Sequence, residues 1–114
     1  MKFAEYFENL DAIENKWREL KNNDFSQKLR DELWGLCMKG KTLFWKMAED
    51  DMRKGYGMVS TVPAYQRAIM LLEHEGRFEQ AVEECRDAQK WKINTDWYEK
   101  RIEKLQKLIQ KKAS

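Results

Sequence analysis

A chain of 114 residues with 42% hydrophobic residues, among them five Trp, five Phe and four Tyr, has the length of one small domain and enough apolar surface for a core, which excludes a disordered tail. Five glycines and one proline beside 37% charged residues suit helices and exclude turn-rich sandwiches and barrels, as well as collagenous and low-complexity chains. Twenty-two Lys and Arg against twenty Asp and Glu give a net charge of +2, spread evenly between the halves, so no charged half marks a nucleic-acid or membrane partner.

Phe3, Tyr6, Phe7, Leu10, Ile13, Trp17 and Leu20 recur mostly at steps of three and four, which predicts a first helix with one apolar face, ending near Lys21. Asn22, Asn23 and Asp24 follow as stop and cap, because short polar side chains bond free helix-end amides better than they sit mid-helix. A second helix is expected from about Phe25, with Leu29, Leu33, Leu36 and Cys37 on its stripe. Gly35 and Gly40 each cost about 1 kcal/mol relative to Ala inside a helix, and Gly40 is the expected break. Leu43, Phe44, Met47, Ala48 and Met52 make a third stripe, closed by Lys54, Gly55 and Gly57, either as a separate helix or as an extension of the second.

Gly55 to Val62 lacks periodicity and is expected as the longest loop, leading into Pro63, whose fixed φ and missing amide suit a first helical turn. The next helix, Pro63 to Glu75, places Tyr65, Ala68, Ile69 and Leu72 on one face and stops at Gly76. Another runs from about Phe78 to Lys90 through Ala81, Val82, Cys85 and Ala88. Asn94, Thr95 and Asp96 then cap a terminal amphipathic helix bearing Trp97, Tyr98, Arg101, Ile102, Leu105, Leu108 and Ile109. The expectation is an all-α domain of five or six helices without strands over 1–114, with N-terminal helices in 1–54 and a hairpin plus capping helix in 63–112.

Residues 63–91, PAYQRAIMLLEHEGRFEQAVEECRDAQKW, have an aromatic at Tyr65, a large residue seven on at Leu72, a turn glycine at Gly76, an aromatic at Phe78 and small residues at Ala81 and Ala88. This pattern resembles one tetratricopeptide (TPR) repeat, with departures at Ile69, Cys85 and Ile93. The resemblance implies antiparallel helical hairpins in a right-handed stack that binds a peptide or protein segment. Residues 17–29 align with 70–82, setting Asn23 against Gly76 and Phe25 against Phe78, and hint at a degenerate first unit.

No catalytic signature is found. The single histidine, His74, ends a helix, where an imidazole suits the dipole. The acid groups Glu49, Asp50, Asp51 and Glu83, Glu84 lack the alternating ligands of a calcium loop, and Gly55 and Gly57 lack the rest of a phosphate loop. Cys37 and Cys85 stand far apart on apolar stripes and are expected as buried, reduced thiols rather than nucleophiles or zinc ligands. Neither a metal nor a cofactor is expected. The start MKFAEYFENL carries acids where a signal peptide needs bases, and the longest apolar run is the five residues Ala68 to Leu72, so the cytoplasm is the expected compartment and no membrane span is expected.

These observations lead to a non-enzymatic interaction module with an unidentified protein or peptide partner, contacted through Tyr65, Arg67 and Trp91, with Trp97 and Arg101 as further anchors. Two alternatives stand beside it. Trp97, Arg101, Leu105 and Leu108, with Tyr98, Ile102 and Ile109, span barely two heptads that could join a homodimer. Lys100, Arg101, Lys104, Lys107, Lys111 and Lys112 outnumber Glu99 and Glu103 and could meet phosphates, although cations near a helix C-terminus, and a Glu103–Lys107 pair, need no ligand.

Overall fold

The structure is a computed structural model that describes residues 4–54 and 62–113. The predicted loop at 55–61 and the side chains of 50–54, including Asp50, Asp51 and Met52, lie outside the described residues. Five helices follow one another: α1 (Ala4–Asn22), α2 (Gln27–Lys54), α3 (Pro63–His74), α4 (Phe78–Gln89) and α5 (Thr95–Ala113). Among the described residues there is no strand. No helix is long and apolar enough to cross a membrane.

Each helix packs against the next in the chain, and α1 also meets α3. The periodic stripes are what bring them together. Tyr6, Ile13 and Leu20 of α1, Leu33, Cys37, Phe44 and Met47 of α2, Ala81, Val82, Cys85 and Ala88 of α4, and Tyr98, Ile102 and Leu105 of α5 are all buried in one core. Complete burial of a side chain such as Ile13 or Leu105 contributes about 1.5–3 kcal/mol. Helix α3 is the hub: Ala64, Tyr65, Ala68, Ile69, Leu71 and Leu72 are buried, so it is covered on more than one side. At 1.5 Å per residue α2 is about 42 Å long and sets most of the 49 Å long dimension.

Gly40 does not break α2, which runs through it as a single helix of 28 residues. The glycine serves an inter-helix contact instead. A Cβ at that position would stand 2.5 Å from Asn9 Oδ1, 3.0 Å from Ala64 Cβ and 3.1 Å from Ile13 Cδ1, so α1 and α3 both approach α2 where a side chain is missing. Asn9 is buried there and donates from Nδ2 to the Leu36 carbonyl at 3.1 Å. Gly35, by contrast, has nothing within 4 Å of its missing Cβ.

The turns follow from local chemistry. After α3, Gly76 takes φ 75° and the amides of Arg77 and Gly76 donate to the carbonyls of Leu72 and Glu73, the paired bonds of a Schellman C-cap. Pro63 opens α3 at its first turn, as expected. Between α1 and α2 the equivalent of the Arg77–Leu72 bond is Phe25 to Leu20, at 3.0 Å, so the residue matching Gly76 is Asp24 and not Asn23. Asp24 and Phe25 both have φ 53°, and α2 starts at Gln27, two residues later than predicted, because Phe25 belongs to this turn. Cys37 and Cys85 are free and buried, and burial pushes both thiols up to about 12.

Candidate functional site

Aromatic and cationic side chains gather in two places, one closed and one open. The closed cluster lies between α2, α3 and α4. Trp45 Nε1 donates to the Tyr65 hydroxyl at 2.8 Å, and that hydroxyl donates to Asp87 Oδ2 at 2.9 Å. Lys41, only 8% exposed, reaches both carboxylate oxygens of Glu84 at 3.0 and 2.9 Å and lies 5.1 Å from the Tyr65 ring centroid. Phe44 meets the rings of Tyr65 and Trp91 edge to face at 6.3 and 5.3 Å. Burial pushes the Tyr65 hydroxyl well above its ordinary range. Burial also pushes Asp87 up, but donation by Lys90 and Tyr65 outweighs it and leaves that carboxyl below its ordinary value. These groups satisfy one another and leave no opening at Tyr65.

The open cluster lies where the ends of α1 and α3 and the start of α4 meet the side of α5. A groove of about 440 Å³ is lined by Trp17, Phe25, Met70, His74, Phe78 and Leu108, with Glu73, Arg101 and Lys104 beside them. Local structure places each of them. The turn after α1 carries Phe25 to His74, ring over ring at 4.0 Å, and Trp17 meets Phe25 edge to face at 5.5 Å. Phe78, the first residue of α4, is held at the rim by the Gly76 turn. Arg67 chelates Glu14 at 3.1 and 2.8 Å and lies 4.8 Å from the Trp17 ring centroid, fixing that indole from behind. Arg101 pairs with Glu73 at 3.3 Å and lies 4.6 Å from the Trp97 ring centroid. Burial raises the Glu73 carboxyl above its ordinary range, against the opposing pull of Arg101 and Lys104, and its Oε1 is buried with no hydrogen-bond partner.

The groove continues along α5. A smaller trough of about 330 Å³ is lined by Lys100, Glu103, Lys104, Lys107, Leu108 and Lys111, sharing Lys104 and Leu108 with the groove. Away from both, Phe7 is the one large apolar side chain exposed among the described residues.

The five residues singled out from sequence are divided between these places. Tyr65 is 1% exposed and cannot contribute surface, because its ring fills the space between α2 and α4 and its hydroxyl is committed to Trp45 and Asp87. Trp91 is half-buried against Phe44 at the edge of the same closed cluster. Arg67 is half-buried behind the groove, Arg101 lines it, and Trp97 backs Arg101 from outside the lining. The seven-residue seam on α5 is largely spent within the chain: Tyr98, Ile102 and Leu105 are buried in the common core. Sequence reasoning missed Trp17, Phe25, Met70, Glu73 and His74 as one surface. The available signal was Phe25, a large apolar residue set directly after Asn22, Asn23 and Asp24, where the chain turns. Comparison of the chain with protein-family descriptions, with curated proteins and with solved structures finds no match.

Proposed function

We propose that this chain is a non-enzymatic interaction module that holds a segment of a protein partner in the groove between α5 and the ends of α1 and α3. The observation that carries the reading is the run of half-covered aromatic and thioether side chains, Trp17, Phe25, Met70 and Phe78, beside the cations Arg101 and Lys104. Such a combination of apolar anchor sites and a charged rim is the usual make-up of a protein-binding surface. The ionisable groups of the closed cluster fit this reading, since Lys41, Tyr65, Glu84 and Asp87 are tied to one another. The TPR-like reading of 63–91 belongs to the same proposal. It is supported by the Gly76 turn, by burial of Ala81 and Ala88, and by the packing of α3 on α1 as well as on α2 and α4.

Photo-crosslinking from a benzophenone side chain placed at Phe25, with a second one at Trp91 as control, tests the reading. The expected result is a discrete adduct from position 25 only. Adducts of equal yield from both positions, or from neither, would reject the groove as the binding surface.

A further inference from the structure

The lysines beside the groove form a row with a definite spacing. Lys100, Lys104, Lys107 and Lys111 follow at intervals of four, three and four residues, so they lie along one side of α5 over about 17 Å. Glu103 is the single acid on that wall, and no ion pair joins it to Lys107. Among the described residues Lys104, 58% exposed, pairs only with Glu73, at 4.0 Å. Beside the row, Leu108 is shared with the larger groove, whose lining also holds Met70, Phe78 and the stacked Phe25 and His74 rings. The whole surface is thus an apolar slot with a line of positive charge along one edge.

A matching occupant needs an apolar edge and a line of negative charge with the same rise. An α-helix laid beside α5 has this rise, and acids at four-three-four intervals keep to one side of it while its apolar side chains enter the slot. Resting on the reading of the groove as a protein-binding surface, we infer that its occupant is an acidic amphipathic helix of a partner protein, lying alongside α5 with one large apolar side chain between Phe25, Phe78 and Leu108. A single-stranded nucleic acid fits less well. Its phosphates would meet Glu103 on the wall, whereas a peptide can place an uncharged residue there, and Met70 and Leu108 offer aliphatic contact in place of flat faces for bases.

Three synthetic helical peptides of about fourteen residues, long enough to run beside the lysine row, share one leucine-rich face and carry either Glu, Gln or Lys at the four-three-four positions. An oligothymidylate is the fourth probe. Each is titrated into the 15N-labelled protein and into the Lys100→Glu, Lys107→Glu variant, whose fold is checked by its own amide spectrum. Both altered residues are exposed and outside the core. The Glu peptide is expected to shift the amides of Phe25, His74, Phe78, Lys104 and Leu108, to bind about tenfold more tightly than the Gln peptide, and to lose that advantage in the variant and in high salt. Binding of the Gln or Lys peptide to the same residues with equal or greater affinity would overturn the acidic helix and leave the groove as a binding surface. If no peptide moved these amides, both readings would fall. Stronger binding by the oligothymidylate at the same residues would overturn both in favour of a phosphate ligand.

Discussion

The closed cluster around Tyr65 and the open groove around Phe25 are built from similar kinds of side chain, yet one is covered by helices and the other is open to solvent. In each, indole and phenyl rings stand next to a cation that is held by a carboxylate: Lys41 by Glu84 in the first, Arg101 by Glu73 in the second. The difference lies in what covers them. Three helices close over Tyr65, whereas the groove is formed by helix ends and one helix side, and helix ends leave gaps that straight helix flanks do not. The lesson is that an aromatic beside an arginine or lysine says little about exposure until the helix register and helix ends are known.

The largest expected contrast is in truncation of the two aromatics. Tyr65→Ala should cost about 3–5 kcal/mol of stability by opening a cavity in the core, while Phe25→Ala should cost about 1 kcal/mol. Urea unfolding of both variants measures the difference, and equal losses would erase the distinction between closed and open clusters. Next comes the buried ion pair. Lys41→Met should cost about 3 kcal/mol because Glu84 is left without its partner, and adding Glu84→Leu should restore most of the loss, while Lys107→Met on the groove wall stays within about 0.5 kcal/mol. A Lys41→Met protein as stable as the parent would show that the cluster is not held as described.

The two glycines of α2 sharpen the comparison further. Gly40→Ala should destabilise by about 1–3 kcal/mol because its methyl group meets Asn9, Ile13 and Ala64, and Gly35→Ala, with open space around it, should stabilise by up to about 1 kcal/mol. Thermal melts of the pair read both signs at once. The smallest effect is in pH dependence. Asp87 is held below the ordinary carboxylate range, so the stability it provides is present above that range and is lost as pH falls through its folded value. Glu73 is held above it, so the cost of its buried charge is relieved as pH falls through its folded value. Between about pH 5 and 3, Asp87→Asn should therefore flatten the decline of stability and Glu73→Gln should steepen it. Matching slopes in the two variants would contradict the opposite directions assigned to these groups.

The helices were legible in the sequence because apolar side chains at steps of three and four declare a buried face, and Pro63 and Gly76 declare where α3 begins and ends. Gly40 misled because helix propensity treats a glycine only as a loss, and the gain, a near approach of α1 and α3, comes from residues far off in the chain. Tyr65 misled for a related reason: one helix can be covered on several sides, and α3 is. Arg101 was legible as a cation on an aromatic-bearing helix and does line the groove. Phe25, His74, Phe78 and Leu108 were not legible as one surface, since they stand on four separate segments and meet only through the packing of α1, α3, α4 and α5.

The turn that carries Phe25 has a consequence for how binding and folding are linked. Asp24 and Phe25 both sit at φ 53°, on the left-handed side of backbone space, where an L side chain costs about 1–2 kcal/mol per residue. Nothing in the local preferences of a phenylalanine favours this; the bond from its amide to the Leu20 carbonyl, its stacking on His74 and its edge contact with Trp17 hold it there. This part of the groove thus carries conformational strain, held by the hydrogen bonds of the turn and the ring contacts together. A ligand that grips the Phe25 ring adds to those contacts and holds the bend, so occupancy of the groove should slow hydrogen exchange at the amides of Asn23 to Ser26 and tighten the joint between the first two helices.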